Sequence, residues 1–428
     1  MKYILSILAL FYLMLPVEAQ QVAKGEYGTF LLTNATVETV TNGRLENASV
    51  LIQDGKIAAV GDYVESPAGA KTIDCTGLTV YPGMIDGGTQ LGLTEVGSIS
   101  LTRDANEIGE TTPHMQALTA VNPNSVAIPV TRVSGVTTVL SAPTGGRFPG
   151  TAALIDLWGY TPDQMFAGFK GVVMNFPSSG KRGWWDRRSA DEIKKEEEKN
   201  TKALNDTWEA ALLYAKIAKS GGDLDYNPEV EALAEVANGD ATLMVNANKA
   251  KDIESALKWV AEKGVQKVIL TGVYEGWRVA DKIAAANIPV ITGPVLRTPT
   301  RASDRYDKAY ANPGIMQKAG VKVAIRTNES ENVRNLPFNA GFAAAYGMGT
   351  EEALKAVTIV PAEIFGLADK LGSIEVGKQA NLFIADGDPF ETKTNIKEVF
   401  IKGWKIPMDS RHIRLYNEFL DRQPGTGK

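Results

Sequence analysis

From residue 242 onward the chain alternates short, unbroken apolar runs with stretches in which apolar residues recur every three or four positions. Thr242–Val245 reads as a strand. Asp252–Lys263 follows it, with Ile253, Ala256, Leu257, Val260 and Ala261 at helical spacing. Val265–Leu270 is the next strand, Glu275–Ala286 the next helix and Ile288–Ile291 a strand again, so strands begin at 242, 265 and 288 in equal steps. Val321–Arg326 and a helical stretch from Asn335 to Tyr346 continue the series, and Val136–Leu140 extends it backwards. Strand–helix repetition at this pitch predicts βαβ units around a parallel sheet. Over this length an α/β fold of the (β/α)8 TIM type is expected rather than an open doubly wound sheet.

The two ends read differently. Phe30–Leu32, Ser49–Ile52, Lys56–Val60 and Leu78–Val80 are strand-like, and Asp54-Gly55 is a hairpin signal. After a helix expected to begin at Pro361, Ala380–Ala385 and Glu398–Lys402 are strand-like again. The division that follows is a composite β-sandwich domain from 28–80 plus 372–408, a barrel at 81–371 and a C-terminal tail at 409–428. Residues 1–19 combine Lys2, an apolar run from Tyr3 to Val17 and a small-residue cleavage site at Val17-Glu18-Ala19. That pattern is a secretory signal peptide, too short for a membrane span. With a single cysteine, Cys75, no intrachain disulfide can form. The expectation is an exported protein of a bacterial periplasm, without a membrane span once the leader is removed.

The net charge of −5 over 428 residues argues against a nucleic-acid protein, which would normally carry a basic face. The chain has no Gly-x-Ser-x-Gly elbow, His-Glu-x-x-His pair or phosphate-binding Gly-Lys-Ser/Thr loop. Gly145–Gly150 is glycine-rich and carries Arg147, open to reading as a turn or an anion cradle. Trp184–Arg188, ahead of the charged run Asp191–Lys202, is either the approach to a solvated helix or an aromatic–basic lid.

Val80-Tyr81-Pro82-Gly83-Met84-Ile85-Asp86-Gly87-Gly88-Thr89-Gln90 resembles the first barrel strand of the amidohydrolase superfamily, which reads Pro-Gly-x-Ile-Asp-x-His-x-His there. Leu371–Leu382, with Gly377-Lys378-Gln379-Ala380-Asn381-Leu382, is similar to the family's closing motif. Thr112-Pro113-His114 and Gly135–Val139 resemble its imidazolonepropionase-like and secreted bacterial branches. The resemblance implies a barrel that normally binds zinc or another divalent metal to hydrolyse C–N bonds of cyclic amides and related compounds. It also implies where the ligands belong: Gly88 and Gln90 stand at the His-x-His positions, Asn246 and Gly272 at two further His positions, Asn328 at the Asp, and Asn175 at a Lys or Glu position. Neither glycine nor a neutral amide serves zinc well or acts as a general base. His114 and His412 are the chain's two histidines and match no ligand position.

Two functions stay open on this reading. One is a cofactor-free member whose pocket binds an amide-like or peptide-like small molecule, or which works as partner of an active amidohydrolase paralogue. The other is an active hydrolase with a relocated metal or with carboxylate chemistry from Asp86, Glu275, Glu329 and Glu331. Asp86, Glu275 and His114 complete the set of candidate pocket residues.

Overall fold

A computed structural model describes residues 24–181, 185–420 and 422. The leader expected at 1–19, Trp184 and the last residues of the tail lie outside the described residues.

Two sheets organise the molecule. Eight strands form the barrel sheet: β1 (Met84–Thr89), β2 (Val136–Ser141), β3 (Gly150–Asp156), β4 (Phe166–Asn175), β5 (Thr242–Ala247), β6 (Val268–Gly272), β7 (Val290–Thr292) and β8 (Val323–Ile325). They neighbour one another in chain order. Their interior is filled by one small or apolar layer, with Ile85, Leu140, Leu154, Val173, Met244, Ile269, Ile291 and Ala324 in a single cluster. A helical layer packs outside, where Leu204, Trp208, Leu233 and Ile253 meet Leu243 and Val245.

The barrel departs from the all-parallel form in one place. Strand β3 runs antiparallel to both β2 and β4. The connection at 142–149 is shorter than the dozen or so residues a parallel crossover requires, so the chain turns back instead of crossing over. The remaining neighbours are parallel. Strands β1 and β8, at the two edges of the sheet, share no ladder.

The other sheet draws strands from both chain ends. Leu382–Ala385 pairs antiparallel with Thr79–Pro82, and the set includes Phe30–Glu38, Arg44–Gln53, Lys56–Gly61 and Ile396–Ile401. The Asp54-Gly55 turn has positive φ at both residues (52° and 78°), as a two-residue hairpin of the primed type needs. The late helix spans Ile359–Ile364, so Pro361 is its third residue and not its first. Asp191–Lys202 lies within one long helix, Ala190–Lys219, capped by a reciprocal Ser189–Glu192 box. In the tail, Arg411–Leu420 is helical.

A buried polar knot joins the sheets at the barrel face opposite the site. The Asp156 carboxylate, with no exposed surface, accepts from Thr138 Oγ1 (2.8 Å), Asn381 Nδ2 (2.8 Å) and Gln379 Nε2 (3.0 Å), and Lys402 Nζ lies 3.1 Å away. Asn381 Oδ1 accepts the Lys402 backbone N–H at 2.8 Å. Asn381→Ala removes a donor and an acceptor at once. With about 1–3 kcal/mol per orphaned buried group, it is expected to lower stability by about 2–4 kcal/mol. Denaturant unfolding against the parent checks this, and an unchanged midpoint would show that the knot contributes nothing.

Candidate functional site

Strand alternation decides what reaches the mouth of the barrel. In β5, Leu243 and Val245 face the helices while Met244 faces the interior, so Asn246 points inward at the C-terminal end. The same parity carries Asn175 inward after Val173 in β4, and Arg326 inward after Ala324 at the end of β8. C-terminal strand ends are where barrels of this class build their sites.

Two groups of side chains result. In the first, Asn246 Nδ2 donates to Asn175 Oδ1 at 2.9 Å, and Asn175 Nδ2 donates to the carbonyls of Gly145 and Gly146, both at 2.9 Å. The glycine-rich segment thus offers carbonyls to this group. Asn248 Nδ2 lies 3.4 Å from Asn246 Oδ1, and Asn248 Oδ1 is buried with no hydrogen-bond partner. Gly272 makes room for these amides. A Cβ there would lie 2.2 Å from Asn248 Oδ1 and 2.6 Å from Asn246 Oδ1, and φ is +81°.

The second group closes the barrel. Asp86, fully buried, accepts from Thr327 Oγ1 (2.6 Å), the Thr327 N–H (3.1 Å) and the Gly88 N–H (3.0 Å). Burial pushes this carboxyl up to about 7, against the lowering effects of those hydrogen bonds and of the Arg326 charge. The Asn328 N–H donates to Gly88 O at 2.9 Å and the Gln90 N–H to Glu329 O at 2.9 Å. Asn328 has φ +55°, a conformation that asparagine tolerates better than most residues. The Gln90 and Asn328 side chains are half-buried.

Arg326, which sequence reasoning did not single out, lies between these elements. It is 9% exposed. Its Nε donates to Gly293 O at 3.3 Å, and its stem runs over Gly88, where a Cβ would come within 3.0 Å of Arg326 Cδ and 3.5 Å of Nη1. Gly293, at φ +133°, leaves 2.0 Å between a Cβ position and the Arg326 carbonyl oxygen. Gly88 therefore leaves room for the arginine side chain and Gly293 for the backbone at the same residue. Among the described residues the guanidinium makes no ion pair with a carboxylate. The signal was available: in Val323-Ala324-Ile325-Arg326 the arginine takes an inward position of a buried strand.

Other expected residues are committed elsewhere or lie outside the mouth. Glu275 is buried and receives two hydrogen bonds from Arg301 (2.6 and 2.7 Å) and one from the Ala250 N–H (2.9 Å). Burial alone would raise its pKa, but the Arg301 and Ala250 hydrogen bonds and the nearby charges hold it below the usual range. Glu329 and Glu331 are exposed. His114 lines a groove with Lys170, Gly171, Glu231 and Glu235, away from the strand ends, and its Nδ1 is buried without a partner. His412 is exposed, 3.4 Å from Arg334. Of the segment after Trp184, Trp185 is exposed, and Arg188 pairs with Asp186 and Glu196.

Residues 131–405 match the profile of the amidohydrolase family. The chain belongs to that family. An imidazolonepropionase from Geobacillus sp. (strain WCH70) is 23% identical over 406 residues, covering 80% of this chain and 84% of that protein. A D-hydantoinase from Geobacillus stearothermophilus is 42% identical over 81 residues, but the match covers only 16% of its length. An adenine deaminase from Dehalococcoides mccartyi (strain CBDB1) is 36% identical over 101 residues and likewise matched over only 17%. The crystal structure of an amidohydrolase from Thermotoga maritima MSB8 superposes with a TM-score of 0.77 at 27% identity, covering 88% of this chain and 99% of that one.

The family's barrel commonly carries a divalent metal, and the residues here do not fit one. Among the described residues no group of three or more His, Cys, Asp or Glu side chains is arranged to hold an ion. Asn175 Oδ1 already accepts a hydrogen bond, Gly88 and Gly272 have no side chain, and a guanidinium occupies the space above Gly88. A dication beside an unpaired guanidinium is repelled, not held.

The packing at Gly272 yields a direct test. Gly272→Ala places a side chain at positive φ against two amide oxygens and is expected to cost about 1–3 kcal/mol. Adding Asn248→Ala should return part of that loss. Thermal unfolding of the single and double variants reads both effects, and a single variant as stable as the parent would contradict the packing.

Proposed function

We propose that this protein is a metal-independent amidohydrolase-family barrel that binds a small amide-like or peptide-like molecule at its C-terminal mouth without hydrolysing it. Its lineage is that of hydrolases of C–N bonds other than peptide bonds. Metal-assisted hydrolysis needs an ion that lowers the pKa of a bound water to about 7. The observation that carries the reading is Arg326, whose guanidinium fills the space over Gly88. A guanidinium stays protonated at neutral pH, accepts no proton and offers no coordination position to water. Carboxylate chemistry has little support either, because the Asp86 oxygens are taken by Thr327 and Gly88 and those of Glu275 by Arg301 and Ala250. The neutral amides Asn246 and Asn248 present both donors and acceptors, which suits a ligand of the same kind. We further propose export to a bacterial periplasm, on the strength of the apolar leader at 1–19.

Elemental analysis of mature protein purified without chelators tests the reading. The expected result is no stoichiometric transition metal and no turnover of hydantoins, other cyclic amides or dipeptides. One metal per chain, with hydrolysis lost on chelation, would overturn it. Hydrolysis that survives chelation would overturn it equally, in favour of acid–base catalysis.

A further inference from the structure

The five arginines at 278–326, after β6, β7 and β8, fall into two kinds. Arg278 pairs with Asp304, Arg301 with Glu275 and Arg305 with Asp307. Arg326 and Arg297 make no such pair among the described residues. Arg297, on the loop after β7, rests its guanidinium 3.6 Å from the Tyr274 ring centre, and its Nη1 is buried without a hydrogen-bond partner. Arg326 is nine-tenths buried and spends only Nε on the protein, at Gly293 O. The Arg326 charge acts on the Asp86 carboxyl, but no hydrogen bond links the two, so the donors of its fork stay unspent on the protein among the described residues. Gly88, whose missing Cβ leaves room for the Arg326 stem and Nη1, makes this a built position.

We infer that the mouth recognises the carboxylate of its ligand through Arg326, so that the site takes an anionic small molecule at the place where the family's barrels commonly take a cation. This rests on the metal-independent reading above and adds the charge of the ligand to it. The planar fork of a guanidinium matches a carboxylate in two parallel hydrogen bonds. Gln90 and Asn328, two residues beyond Gly88 and Arg326 on adjoining strand ends, carry half-buried amides with no hydrogen bond from their side chains among the described residues. They can donate to the same anion or to the amide next to it. A carboxylate attached to an amide, as in an N-acylated amino acid, offers its charge to Arg326 and its amide to the neutral side chains of the mouth.

Calorimetric titration of the full mature protein with N-acetylglycine, N-acetylglycinamide, sodium acetate and inorganic phosphate tests the inference. N-acetylglycine is expected to bind, and its uncharged amide to bind about ten- to a hundred-fold more weakly, the range that charge-assisted hydrogen bonds supply. Arg326→Gln should weaken N-acetylglycine by a similar factor and leave N-acetylglycinamide unchanged. Should that variant fail to fold, Arg326→Lys keeps the charge without the fork and is expected to weaken N-acetylglycine by about ten-fold. Phosphate binding as tightly as N-acetylglycine would overturn carboxylate recognition in favour of a general anion site. Equal affinity for the acid and its amide, or affinity unmoved by the Arg326 variants, overturns the inference outright. Metal content of the same preparation separates the two failures. Stoichiometric zinc means that the metal-independent reading has failed, whereas a metal-free protein that ignores N-acetylglycine means that the inference alone has failed.

Discussion

The Asp86 carboxylate, with the Thr327 hydroxyl that donates to it, closes the barrel. The barrel sheet has two edges, β1 and β8, and no ladder joins them. What joins them is one fully buried carboxylate accepting from Thr327 and Gly88, with the Asn328 and Gln90 N–H groups bonding across the same seam. Buried donors and acceptors left unpaired are expensive, so this seam holds the end of β8 in one register. Arg326 precedes Thr327 directly, and that register aims its side chain over Gly88. The chemistry of the mouth therefore depends on the clasp beneath it.

An arginine and a divalent metal are both cations, yet they give a barrel mouth different properties. A metal ion is held by its ligands and keeps positions open for water and substrate. A guanidinium is covalently part of the chain, spreads its charge over a plane and interacts only through donated hydrogen bonds. The surroundings agree with the second kind of cation. The amides of Asn175, Asn246 and Asn248 bond largely to one another and to backbone carbonyls, and Gly272 leaves them the space to do so. Carboxylates near the strand ends are each held by protein donors or face solvent. The opposite face has a separate task. There the Asp156–Asn381–Lys402 knot binds the barrel to the composite sheet, keeping the stabilising polar network away from the mouth.

Much of this was legible in the sequence, for local reasons. Apolar period and strand pitch depend on neighbouring residues, so the strands beginning near 136 and 242 and the helix after Asn246 could be read directly. The Asp54-Gly55 turn was readable for the same reason, since its conformation is set by the two residues that form it. Family motifs at Pro82–Asp86 and Gly377–Leu382 pointed to the lineage, and the absence of histidine near the strand ends was a matter of composition. The reversal of β3 leaves no mark in the apolar pattern, because the chain direction there is set by a short connection and by pairing on both sides.

Only the tertiary structure decided the content of the mouth. Arg326 lies far along the chain from Gly88, and nothing local says that one vacates the space the other fills. Asn246 and Gly272 were each visible as unusual residues, but their mutual fit appears only when β5 and β6 lie side by side. Glu275 and His114 looked equivalent as candidates until folding buried one against an arginine partner and put the other in a groove outside the mouth. The sequence by itself determined the lineage, the elements and which residue types were available. Which of them share a volume and a charge balance was decided by long-range packing, because contact between distant segments follows from the fold and leaves no periodic trace in the chain.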